Sequence, residues 1–184
     1  MESTPFFIFL FIHLTGLILG FGAVLVTDLF GMLWVFNRVR FPHLVRVSET
    51  TKNFIWAGWG ILVAAGIPLI YLKGEIDNLM VIKLFFVLLI GINGIALHHL
   101  QSILKKYKIG ENVPTATMFR LSLSLGLSQI SWWGAFMIGF MHRHVQAIIE
   151  WPASPIVVCA LFLEIILIIW ASGEILFRVK ENMD

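Results

Sequence analysis

His13, Asp28, Lys83, His98, Glu164 and Glu174 stand inside long apolar stretches of the chain. An ionisable side chain in the middle of a membrane-crossing helix costs roughly 2.5–3.5 kcal/mol even on insertion scales, so each must face protein, water or a ligand. Their types sort into two chemistries. An imidazole from one helix, with an imidazole or a neutral amine from another, can supply the two axial ligands of a b-type haem. That donor set is His13 with Lys83, or with His142 or His144, which flank Arg143. Two carboxylates with an imidazole, Asp28, His98 and Glu174, instead suit a divalent metal or the passage of protons.

The elements that carry these residues follow from composition. Of 184 residues, 59% are hydrophobic and 13% charged, against about 45–50% and 25% in soluble domains. A soluble globular protein is excluded. The single cysteine, Cys159, allows no internal disulfide, and without Cys-x-x-Cys-His no haem is attached covalently. A formal net charge of +2, with basic residues in short clusters, gives no nucleic-acid-binding stripe.

Stretches of about 18 apolar residues or more are long enough to cross a bilayer. Five are read, at 6–36, 54–72, 79–104, 116–141 and 156–177. The expected fold is all-α: a polytopic five-helix transmembrane bundle forming a single integral membrane domain over 1–184, with sequential helices antiparallel. The first stretch far exceeds a signal-peptide core and is read as a retained helix on the order of 45 Å long. Lys and Arg number nine in the first and third breaks and the C-terminal tail, against two in the second and fourth breaks. The N-terminus is therefore expected outside and the C-terminus in the cytoplasm, as in a bacterial-type inner membrane.

At 100° per residue, His13, Gly16, Gly20, Thr27 and Asp28 share one face of the first helix. The Gly16-x-x-x-Gly20 pair either packs closely against another helix or makes room for a planar cofactor. Lys83, Gly94, His98 and Gln101 share a side of the third helix, and Lys83 either snorkels to the headgroups or has a buried role. Met118, Ser122, Gln129, Trp133 and Phe136 form a stripe on the fourth that reads as core packing. Gln129 and Glu164 fall near the midplane, where the carboxyl needs a partner or a proton and Gln129 can serve as its hydrogen-bonding mate. Counted from the outer ends of their spans, His13 and Lys83 differ in depth by only about 5 Å.

His13 in an opening membrane helix, followed by GIPLIYLKGEIDNLMVIKLFFVLLIGINGIALHHLQSIL from Gly66 to Leu104, resembles the copper-resistance D family and the bacterial membrane protoporphyrinogen oxidase family. The resemblance lies in a glycine-ended helix, a short loop and a K-L-x-x-V-L-L helix. Glu111, Asn112, Val113 and Pro114 echo a later Asn-Glu-x-Pro segment with the first two residues exchanged. In the oxidase family the matching histidine and lysine are implicated in haem binding, so the resemblance implies that role for His13 and Lys83. The expected function is a membrane haem b redox protein, transferring electrons or oxidising a small apolar or porphyrin-like substrate. A membrane redox partner or a second copy of the chain is the expected associate within the lipid bilayer. The rival readings are a proton or divalent-cation transporter using Asp28, His98, Glu164 and Glu174, and a non-catalytic membrane subunit.

Overall fold

The computed structural model describes residues 4–105, 107, 113–144 and 154–181. Among them it is all-helical, with α1 Thr4–Val35, α2 Phe41–Lys73, α3 Asn78–Leu104, α4 Thr115–His144 and α5 Pro155–Glu181. Four of these, α1, α2, α3 and α5, are long and apolar enough to cross a membrane, as expected of an integral membrane protein. Helix α4 is as long, but Arg120, Ser122, Ser124, Ser128, Gln129 and Ser131 dilute its apolar run.

The chain clusters into two compact units, 1–76 and 77–184. The first is a helical hairpin. Helix α2 begins at Phe41, thirteen residues before the apolar stretch that starts at Phe54. The charged segment read as a break is thus helix. Pro42 is tolerated in the first turn and no glycine or proline interrupts 43–53, so helix formation continues past the end of the apolar pattern. Thr51 Oγ1 and Thr27 Oγ1 share a hydrogen bond of 2.7 Å that fastens this extension to α1.

The turn between the two helices has a defined cap. Asn37 adopts a left-handed φ of 57°, a conformation that asparagine tolerates better than most side chains. Asn37 N–H donates to Trp34 O at 2.9 Å and Arg38 N–H to Leu33 O at 2.7 Å, the paired bonds of a Schellman motif. At the other end of α2, Gly74 takes φ 78° and its N–H donates to Ile70 O at 3.1 Å, stopping the helix.

Close glycine contacts hold the hairpin together. A Cβ on Gly16 would stand 2.9 Å from Gly58 O, Ile61 Cγ2 and Leu62 N, and one on Gly58 would overlap the backbone of Gly20 and Gly16. Of the two readings of Gly16-x-x-x-Gly20, close packing is the one observed. Helix α2 fills the space, so these glycines leave no slot for a planar cofactor.

In the second unit α3 begins at Asp77, whose carboxylate accepts from Met80 N–H at 2.9 Å, an N-cap bond. Helix α3 packs against α4, with Leu79, Ile82, Leu89, Ile90, Asn93 and Leu100 buried on α3 and Ala116, Thr117, Ser131, Trp132 and Ala135 buried on α4. Asn93 Nδ2 donates to Ser124 O at 2.8 Å and so links the two helices in mid-span. Of the stripe expected in the core, Met118, Ser122 and Trp133 are exposed, at 36% for Met118 and 44% for Trp133, while Gln129 and Phe136 are half-buried. Small side chains and Trp132 take the packed face.

Helix α5 joins through aromatic contacts. Phe162 meets Phe85 and Phe86 edge-on, Phe177 stacks at a tilt on Phe119, and the Phe119 ring lies against Gly173. Most of the remaining α5 surface is exposed and apolar, as a lipid-facing helix would be.

Candidate functional site

His13 lies on the α1 face that packs against α2 and is half-buried. Its Nδ1 is 2.9 Å from Leu62 O. A carbonyl only accepts, so Nδ1 is the protonated nitrogen and the lone pair of the neutral ring resides on Nε2. The ring rests over Gly66, where a Cβ would come within 3.5 Å of Cε1 and 3.6 Å of Nδ1. Helix α2 therefore supplies the hydrogen bond that fixes the tautomer, and Gly66 lies at ordinary contact distance from the ring. Ligand histidines in metal sites are oriented in this way, through a second-nitrogen bond to a carbonyl or carboxylate.

Lys83, in the second unit, lies over Gly139 of α4, where a Cβ would stand 3.2 Å from Nζ. Met80, Lys83, Ile138 and Gly139 line a cavity of about 40 Å³. That volume suits a water molecule and is far too small for a porphyrin. Three and five residues beyond Gly139, the backbone of α4 is still helical at His142 and His144, past the expected end at Met141. Their side chains lie outside the described residues, as do Glu111 and Asn112 of the fourfold segment noted above. His13 and Lys83 thus belong to different units, each with its own neighbouring helix.

Of the residues expected near the inner boundary, Glu174 and His98 lie in the second unit and Asp28 in the first. Glu174 is buried, and both of its oxygens are taken by Arg120: Nε donates to Oε1, and Nη2 to Oε2 at 2.7 Å. His98 is exposed on α3, and Asp28 lies in the first unit, half-buried on α1. Among the described residues no group of three or more His, Cys, Asp or Glu is close enough to hold a metal ion. Glu164 is exposed and makes no hydrogen bond there, so the pairing with Gln129 does not form. Helix rotation is the reason, because Glu164 lies about 200° around α5 from Phe162, which faces α3.

No family model matches the chain, and no curated protein or solved structure is significantly similar to it. The case for a site therefore rests on the chain's own residues.

Arg120 is the polar residue that sequence reasoning passed over. It stands five residues inside α4, where a basic side chain reads as an interfacial anchor. The signal available was a lone basic residue near the start of α4 and a lone carboxylate, Glu174, near the end of α5.

Proposed function

We propose that this protein is an integral membrane haem b redox protein in which His13, through Nε2, would be one of the residues that hold the haem iron. The observation that supports this is the Nδ1 hydrogen bond to Leu62 O, which orients the imidazole and leaves the lone pair on the other nitrogen. Lys83, His142 and His144 are the other donors that the sequence offers. Lys83 ligates only as the neutral amine. Bound haem would supply a one-electron iron couple; the chain's part is to orient His13 through its bond to Leu62. Electron transfer to a membrane redox partner, or oxidation of a small apolar or porphyrin-like substrate, is the activity this would serve.

His13→Ala is expected to abolish the Soret band of protein purified from haem-replete cells. Thr15→Ala, two residues away with an exposed hydroxyl bonded only within α1, is expected to keep it. Lys83→Met should shift the band if Lys83 is the second ligand and leave it unchanged if a histidine of α4 is. Retention of the wild-type spectrum in His13→Ala would refute the assignment.

The reading includes five membrane spans, with the N-terminus outside and the C-terminus in the cytoplasm of a bacterial-type inner membrane. It rests on the nine-to-two distribution of Lys and Arg. Reporter fusions after Arg46 and Lys108 should report cytoplasm, and those after Glu75 and Glu150 the outside. The reverse pattern would invert the topology without touching the haem assignment.

A further inference from the structure

We infer that the outward face of α5 is the surface on which two copies of this chain pair, with the two Glu164 side chains at its centre. Glu164 lies two residues from the middle of the apolar span Pro155–Phe177, about 3 Å from it along the helix axis. It is exposed, and it makes no hydrogen bond or ion pair with the described residues. A carboxyl at that depth is expensive in hydrocarbon, and such residues face protein or a water-filled cavity. Its own chain supplies neither there, so the cover comes from outside.

The residues around Glu164 form a packing seam. Val157, Leu161, Glu164, Ile168, Ala171 and Ile175 follow one another at steps of four, three, four, three and four residues, the spacing of a heptad. All six are exposed. At 100° per residue they fall within about 40° of one line. That line runs nearly opposite Phe162, Gly173 and Phe177, the residues by which α5 meets α3 and α4. A single polar residue within an apolar heptad seam is a device that fixes register and partner number.

Symmetry selects the occupant. Two copies inserted with the same topology hold Glu164 at the same depth, so α5 packed on α5 about a two-fold axis brings each seam residue to its own counterpart. A carboxylic acid offers one O–H donor and one carbonyl acceptor, so two of them hydrogen-bond reciprocally. Ala171, one heptad on, is small enough to let the two backbones approach. Glu174, the other carboxylate within the span, is already held by Arg120 and does not compete. A helix of another protein would need a donor at the one matching depth, which a second copy supplies by construction.

The test uses the full chain with Cys159→Ser, carrying one cysteine at a time on α5, reconstituted in liposomes and oxidised. Ile168→Cys and Ala171→Cys should give disulfide-linked dimers. Leu163→Cys and Ile169→Cys, exposed but off the seam, should not. Energy transfer between donor- and acceptor-labelled copies, followed as lipid is added, reads the dissociation constant. Glu164→Leu should raise it by about 3- to 30-fold, the range for one interhelical hydrogen bond in lipid. Glu164→Gln, whose amide also donates and accepts, should stay close to the wild type. Protein that remains monomeric at every protein-to-lipid ratio would overturn the proposal. So would dimers that form equally through Leu163→Cys and Ile169→Cys, dimers indifferent to Glu164→Leu, or cross-linking of Ile168→Cys in native membranes to a different protein in place of a second copy.

Discussion

Gly58→Ala is expected to separate α1 from α2 and to lower stability by about 3 kcal/mol or more, the upper end of overpacking costs. The added methyl would overlap Gly20 N and Cα and reach Gly16 O. All three are backbone atoms inside helices, so no rotamer change relieves the contact. Gly60→Ala, two residues on, meets nothing within 4 Å and should be neutral or stabilising by up to about 1 kcal/mol. Equilibrium unfolding in mixed micelles measures both. The loss should also reach His13, because Leu62, which accepts its Nδ1 proton, lies one turn beyond Gly58. Equal stability of the two variants would show that the helices do not meet at these glycines.

The second large effect is expected at Arg120 and Glu174. Removing one member of a buried ion pair leaves the other charge without compensation, a loss of about 3–5 kcal/mol, whereas replacing both by apolar groups is often neutral. The two single variants should not be equal. Glu174 is 9% exposed at its side chain and Arg120 35%, so Arg120→Met strands a buried carboxylate while Glu174→Leu leaves a guanidinium able to reach the headgroup region. Arg120→Met should therefore be the more damaging, at about 3 kcal/mol or more, with Glu174→Leu at about half of that. The double variant should return to within about 1 kcal/mol of the wild type. Additive losses in the double variant would mean that the two side chains act separately.

These two sites also show what was legible in the sequence. Apolar runs located α1, α3 and α5 to within a few residues, because long uninterrupted hydrophobic stretches have few alternatives to a membrane helix. The start of α2 was not legible from hydropathy, since helix formation over 41–53 depends on propensity and on the Thr27–Thr51 bond rather than on apolar pattern. Of the face that groups His13, Gly16, Gly20, Thr27 and Asp28, the first four meet α2. One helical face packs against one neighbour, and these residues meet Leu62, Gly58 and Thr51 of α2 in turn.

The α4 stripe misled for a reason specific to membranes. In water an aromatic and Met stripe turns inward, but lipid is as apolar as the protein interior, so Met118 and Trp133 lose nothing by facing out. Small residues mark the packed side instead, as Gly134 does beneath Phe86. Asp28, His98 and Glu174 were grouped by depth alone. Depth carries no information about helix rotation or about a partner such as Arg120.

The most direct measurement of the central claim is the visible absorption spectrum of the wild-type protein, purified in mild detergent from haem-replete cells and recorded before and after dithionite. A haem b protein should show a Soret band that shifts on reduction, with sharpened α and β bands, at close to one haem per chain by pyridine haemochrome assay. Colourless protein that also fails to take up added haemin would contradict it.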